Sequence, residues 1–386
     1  MTRRLRVAQV ITRFMAGAGA VALRGALALD PGSYEVVFVT GEGDRLLRQA
    51  RDAGLEVVLM PRLRSDIAPL DDRRALAELR SFLRGFDVVH THSSKAGVLG
   101  RTAAHRAGVG RIVHTFHGFP FHQFQSPLRR SAYIRIERRV GRYTDSFLAV
   151  GPAVAAEAIT RGIAPPERVR TIGVGADMTA PAAKAGDRAE ARRLLGVPPG
   201  MRVVGTVGRL AFQKAPEDFI AALAALRRDD VFGVWIGDGE LRRKAERLAA
   251  RLGLAGRMSF TGERSDVAEL LPGLDVFAMA SRYEGLPCAI VEAMTAGLPV
   301  VATAVNAVPD VVVAGETGLL VPPGSPALLG RAIGYLLDNA AAAARLSATA
   351  RDRLGEELTQ HALGTVLDET YRAGFFVGAE PELAAS

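Results

Sequence analysis

Twelve short runs rich in Val, Ile and Leu recur along this chain, separated by stretches long enough for helices. This alternation restricts the fold more than any other feature. The first six runs are RVAQVI (6–11), EVVFVT (35–40), EVVLM (56–60), DVVHTH (87–92), RIVHTF (111–116) and DSFLAVG (145–151). The second six are RVVGTVG (202–208), FGVWIG (232–237), RMSFTG (257–262), DVFAMA (275–280), PVVAT (299–303) and TGLLV (317–321). Near-continuous β-branched runs suit parallel strands, which are covered by helices on both faces. Strand and helix in alternation predict two doubly wound α/β units. At 386 residues the chain is long enough for both cores. The Gly-, Ala- and Pro-rich stretch 173–187 reads as the linker, and the terminal GAEPELAAS as a frayed tail.

Cysteine and charge narrow the class. The single cysteine, Cys288, excludes a disulfide framework and fits a reducing compartment. The N-terminal MTRRLRVAQVITRF is too interrupted by arginine for a signal peptide. The longest uncharged run, 293–309, is broken by Gly297, Pro299 and Asn306, so no membrane span is expected. These features predict a cytoplasmic protein. Residues 1–175 hold 27 Lys and Arg against 15 Asp and Glu, while the remainder holds 22 against 26. A basic first half calls for an anionic partner, such as a phosphorylated substrate or the anionic inner face of a membrane touched peripherally. Nucleic acid is not expected, because no zinc-finger spacing, recognition-helix pattern or aromatic ribonucleoprotein motif occurs.

In open α/β sheets, ligands bind beyond the carboxyl ends of the strands, and the unusual residues of this sequence gather there. After the first run, Gly17 and Gly19 open a helical pattern, which suits either a phosphate or a tight turn. After the seventh run, VGRLAFQKAPEDF places Arg209 and Lys214 ahead of a helix starting near Pro216. Two cations beside a helix N-terminus suit a diphosphate, the arginine as a fork and the lysine as a point charge. Six of the seven histidines fall between 90 and 122. With no HExxH and no nearby cysteine, they read as hydrogen-bonding groups rather than metal ligands. No Asp-x-Asp occurs, so no metal is expected to hold a bound diphosphate. Finally, SRYEGLPCAIVEAMTAG (281–297) puts Glu284 in a loop and Glu292 about a turn and a half into a helix over 287–296, with Pro287 in its first turn. Two carboxylates in apolar surroundings need partners.

The segment EGLPCAIVE resembles the E-x7-E motif of the retaining family 4 glycosyltransferases. VGRLAFQK is similar to that family's G-R-L-x-x-x-K segment, and IGDGEL to its V-G-D-G-P-L segment. HTHSSKAGVLGR and HTFHGFPFH resemble its first-domain strand ends. The chain departs from the family at Asn306-Ala307-Val308-Pro309-Asp310, where two glycines often precede Pro-Glu, and at AGAG, where Gly-Gly-Ala-Glu is common. The resemblance implies the GT-B fold, two facing Rossmann-like domains with parallel sheets. It places an acceptor-side domain at 1–178, a nucleotide-sugar domain at 186–358, and a helix at 359–378 crossing back to the first domain.

It also implies roles. Arg209 and Lys214 would grip the donor diphosphate, and Glu284 with the backbone of Gly285 and Leu286 would orient the donor sugar. Glu292 would accept hydrogen bonds from the ribose, and the base would rest against Glu263–Arg264. His117 would touch the donor sugar near the reacting carbon. Among the donor-binding residues, Gly17 would let the acceptor approach the phosphate, and Gly208 would lie against the donor. The expected activity is a metal-independent, retaining hexosyl transfer from a UDP-sugar to a saccharide or lipid-linked saccharide hydroxyl, with no cofactor. Glycosylation of a small-molecule natural product is the alternative. A GT-B epimerase or a sugar-nucleotide-binding protein without chemistry stands further off.

Overall fold

The computed structural model describes residues 3–176 and 185–373. Most of the expected linker, residues 177–184, lies outside them, as do the expected tail and the last residues of the expected final helix. Two compact units result. Residues 3–150, 155–175 and 360–373 form one; residues 151–154, 176 and 185–359 form the other.

The first unit is built on seven parallel strands: β1 (Leu5–Phe14), β2 (Tyr34–Gly43), β3 (Glu56–Leu59), β4 (Val88–His92), β5 (Arg111–Phe116), β6 (Ser146–Ala149) and β7 (Val169–Thr171), in the order β3-β2-β1-β4-β5-β6-β7. The second has six: β8 (Arg202–Val207), β9 (Val231–Ile236), β10 (Met258–Phe260), β11 (Val276–Met279), β12 (Val300–Thr303) and β13 (Leu319–Val321), in the order β10-β9-β8-β11-β12-β13. Each of the twelve apolar runs contains a strand. The exception to the sequence reading is β7, whose residues Val169, Arg170 and Thr171 carry too little apolar signal to be recognised.

Burial on both faces explains why the runs are continuous rather than alternating. Val204, Val276, Ala278 and Val301 pack on one side of the second sheet, and their neighbours Val203, Phe277, Met279, Val300 and Ala302 pack on the other. Successive strand residues point to opposite faces, so both sets must be apolar.

The helix Gln360–Arg372 returns to the first unit and packs on the helix Ala16–Ala28. Glycine permits the approach. A Cβ on Gly25 would stand 2.7 Å from Leu367 Cδ1, and one on Gly364 would stand 2.8 Å from the Ala28 side chain. Tyr34 Oη donates to Asp368 Oδ1 at 2.8 Å, and Tyr371 is fully buried.

Both sheets reverse their direction of growth beside the first strand, at β1/β4 in one unit and β8/β11 in the other. A topological switch point leaves a crevice beyond the carboxyl ends of the two strands. The loops that follow these strands carry most of the residues singled out from the sequence.

Candidate active site

In the second unit, β8 leads through Gly208, Arg209 and Leu210 to a short 3-10 turn, Phe212–Lys214, and then to the helix Pro216–Ala225. β11 leads through Arg282, Tyr283 and Glu284 to the helix Cys288–Thr295. The two loops meet. Lys214 Nζ lies 2.6 Å from Glu284 Oε1, and Gln213 Nε2 donates to the other carboxylate oxygen at 3.1 Å. The Glu284 side chain is only 5% exposed and that of Lys214 18%. This is the partner that a carboxylate in apolar surroundings requires. Arg209 stays open at 55% exposure, with a loose contact to Glu240 at 3.7 Å. Arg209 lies at the rim, whereas Lys214 is part of a largely buried ion pair.

The loop after β9 completes the floor. Trp235 Nε1 donates to the Gly208 carbonyl at 2.8 Å, and Leu210 N donates to the Asp238 carbonyl at 2.9 Å. Gly237 has φ +140, and a Cβ there would stand 2.2 Å from the Gly208 oxygen, so only glycine fits. Gly237 also bridges to Gly262, which places the Glu263–Arg264 segment beside this loop. Arg264 is held by Asp266 through Nε at 2.8 Å and a second close guanidinium contact.

Asn306 was visible in the sequence only as a departure from the family's glycines. It adopts φ +42, a left-handed conformation that asparagine tolerates better than most residues, and its Oδ1 accepts from the Glu284 N–H at 3.1 Å. Its side chain thus holds the Glu284 backbone, a contact that a glycine at this position could not make. Among the described residues, four non-glycine residues have positive φ: Ser93, Ala215, Arg227 and Asn306. Three of the four sit in the strand-end loops just described or in that after β4, and such strain gathers at functional sites.

The helix carrying Glu292 begins at Cys288 rather than Pro287, which has ψ 91 and so stands as the extended residue before the first turn. Glu292 lies half-buried on this helix, and Gly285 is half-buried and Leu286 buried in the loop ahead of it. Cys288, at the start of this helix, is half-buried.

In the first unit, Gly17 falls in the first turn of the helix after β1, and Ser93 follows β4 with φ +59. Ser93 Oγ lies 3.3 Å from Thr12 Oγ1, joining the two loops of that switch point. Gly19 is explained by packing: a Cβ there would stand 2.9 Å from Leu46 Cδ1 and 3.1 Å from the Phe14 carbonyl carbon. The histidines divide in two. His114 bonds Thr91 Oγ1 at 2.8 Å, while His90, His92 and His117 join one network. Burial holds all four neutral, His117 down to about 4 and His90 to about 3, with His92 and His114 also well below the ordinary range. Among the described residues, no three His, Cys, Asp or Glu side chains converge as a metal site.

Solved structures with this arrangement include Anabaena HepE in complex with UDP and glucose. It aligns with a TM-score of 0.84 at 21% identity, over 95% of this chain and 99% of that one. The fold is GT-B. The pattern described as Glycosyltransferase Family 4 matches residues 15–180, and that described as Glycosyl transferases group 1 matches residues 187–353. A UDP-Gal:alpha-D-GlcNAc-diphosphoundecaprenol alpha-1,3-galactosyltransferase of Escherichia coli is 33% identical over 265 residues, 66% of this chain and 68% of that enzyme. A 2-deoxystreptamine N-acetyl-D-glucosaminyltransferase of Streptomyces fradiae is 40% identical over 157 residues, 38% of this chain and 37% of that one. The chain belongs to glycosyltransferase family 4 and is a glycosyltransferase.

Proposed function

We propose that this enzyme moves a hexosyl-type sugar from a UDP-sugar to a hydroxyl of a saccharide or lipid-linked saccharide. It does so with retention at the anomeric carbon and without a metal ion. The observation that carries this reading is the Lys214–Glu284 pair beside the open Arg209 at the switch point of the second sheet. The Lys214 ammonium has three N–H donors, so it can hold Glu284 and still donate to an incoming phosphate. The E. coli relative, which acts on UDP-Gal and a diphosphoundecaprenol-linked sugar, supports both the donor and the acceptor class.

The roles follow from chemistry. Arg209 and Lys214 stabilise the negative charge that builds on the diphosphate as the glycosidic bond breaks. Glu284, with the N–H groups of Gly285 and Leu286, orients the donor sugar, and Glu292 accepts from the ribose hydroxyls. The base rests against Glu263 and Arg264. Gly208 and Gly17 admit backbone close to the ligand, and His117 meets a sugar hydroxyl. In front-face attack the departing phosphate takes the acceptor proton, so no protein carboxylate needs to act as nucleophile.

A peripheral place at the inner face of the membrane accompanies a lipid-linked acceptor. Among the described residues, no helix is long and apolar enough to cross a membrane. The helix Pro127–Gly141 and the loop before it expose Arg129, Arg135, Arg138 and Arg139 with Phe124, Leu128 and Ile136, a combination suited to anionic lipid. The Streptomyces relative, named for a small aglycone, favours the second reading, a natural-product acceptor. Incubation with a panel of UDP-sugars in EDTA, with lipid-linked saccharides or aglycones as acceptors, tests these points. Acceptor-dependent UDP release is expected in the chelator. Loss of turnover in EDTA, restored by magnesium or manganese, would contradict the metal-free reading.

A further inference from the structure

Three histidines of the first unit belong to a chain of five hydrogen bonds drawn from β1, β4, β5, the residue just after β5 and the returning helix. Its members are His117, His92, Gln9, Tyr371, His90 and Thr115. His117 Nε2 lies 2.9 Å from His92 Nδ1, and His92 Nε2 lies 2.6 Å from Gln9 Oε1. Gln9 Nε2 donates to Tyr371 Oη at 2.8 Å. Tyr371 Oη lies 2.6 Å from His90 Nδ1, and His90 Nε2 lies 2.6 Å from Thr115 Oγ1. Gln9, His90, His92, Thr115 and Tyr371 are all buried, so each polar hydrogen among them needs a partner within the chain of bonds.

The direction of each bond follows from the Gln9 amide, whose two ends differ. Its oxygen can only accept, so His92 carries its proton on Nε2 and its Nδ1 is a lone pair. That lone pair requires a proton from His117, which is therefore protonated on Nε2. The Gln9 amide N–H occupies a lone pair of the Tyr371 oxygen, leaving the phenol hydrogen for His90 Nδ1, and His90 donates onward to Thr115. All five bonds run one way, and bonds aligned in series strengthen one another. An amide turned over would reverse every link. The orientation present leaves His117 with a bare Nδ1, which bonds to nothing among the described residues and is not enclosed, since His117 is itself partly exposed.

We propose that Gln9, His92, His90 and Tyr371 are positioning residues that lock His117 in the Nε2–H tautomer, so that its Nδ1 accepts a hydrogen bond from a hydroxyl of the substrate. This rests on the reading above that His117 meets a sugar hydroxyl. The helix Gln360–Arg372 thereby acts on the chemistry through Tyr371, beyond closing the core. An acceptor selects for a group that can give a hydrogen; the opposite tautomer would tolerate an ether or a fluorine at that position.

The test is nitrogen NMR of the full chain labelled with ¹⁵N-histidine. In the ligand-free protein, His117 is expected as the Nε2–H tautomer, with a through-hydrogen-bond ¹⁵N–¹⁵N coupling to His92 Nδ1. An Nδ1–H tautomer at His117 would overturn the proposal in the wild-type protein, whatever the variants do. Gln9→Met removes the acceptor that sets the direction. It should mix the His117 tautomers and lower kcat at least severalfold, while UDP affinity, set by the second unit, stays within twofold. An unchanged tautomer in Gln9→Met would overturn the proposal as well. The reading beneath it fails separately: if His117→Ala turns over like wild type, His117 meets no substrate hydroxyl, even where the tautomer is as assigned.

Discussion

Replacing Lys214 with alanine should destabilise the second unit, and the size of the loss follows from the pair it breaks. At 2.6 Å and an effective dielectric near 20, the gross attraction between Lys214 and Glu284 is roughly 6 kcal/mol, most of which offsets desolvation. Removing the lysine leaves a carboxylate that is 5% exposed with the Gln213 amide and, among the described residues, no cation paired with it. A fully buried pair loses about 3–5 kcal/mol on such a truncation; because Lys214 retains 18% exposure, about 2–3 kcal/mol is expected here. Trp235, the single tryptophan of the chain, is buried in this unit and bonded to Gly208, so its fluorescence reports the transition. With a urea slope of about 2 kcal/mol per molar, the midpoint should fall by about 1 M or somewhat more. Lys214→Ala combined with Glu284→Gln should recover about 1–2 kcal/mol, since no unpaired carboxylate remains, yet stay inactive. A Lys214→Ala midpoint equal to wild type would refute the reasoning.

Two further outcomes are expected. Glu292→Gln should weaken UDP binding in calorimetry by about 1–2 kcal/mol, because a charge-assisted bond becomes a neutral one. Glu284→Gln should leave UDP affinity close to wild type and lower turnover instead; equal losses of affinity in both would contradict this division of roles. The first unit should also be acid-labile. Its His90 and His117 are neutral when folded down to about pH 3 and about pH 4, whereas unfolded histidine titrates near 6.5. Between those values the unfolded state binds the extra protons. Stability is therefore complete above about pH 6.5 and falls as pH drops below it, by about 1.4 kcal/mol per pH unit for each such histidine. Denaturant melts followed by circular dichroism from pH 7 to 5 should show this slope, and a flat profile would count against it.

The strands and the loops of the candidate site were legible in the sequence for physical reasons. Parallel strands buried on both faces must be apolar throughout, and their order along the chain places Arg209, Lys214 and Glu284 after β8 and β11. The contact between Lys214 and Glu284 was not legible, because the two are 70 residues apart and only sheet order brings β8 beside β11. Asn306 shows its role through a positive φ, which a side-chain pattern does not reveal. The relay through Gln9 and Tyr371 was hidden for a different reason. Tyr371 looks like a core aromatic on an amphipathic helix, and its partners lie up to 362 residues away. The histidine cluster did signal buried polar chemistry, but spacing alone gave no direction for its hydrogen bonds.

The central claim, that the loop after β8 grips the donor diphosphate, is tested most directly at Arg209. Its side chain is 55% exposed and its ion-pair contact to Glu240 is long, so Arg209→Ala removes charge without opening a buried pair. The measurement is UDP release from the UDP-sugar that wild type uses, as kcat/KM, beside a urea melt read from Trp235. The account predicts a fall of about 30- to 1,000-fold, the scale of losing one electrostatic donor worth about 2–4 kcal/mol, with an unchanged melt. Wild-type kcat/KM in Arg209→Ala would contradict it.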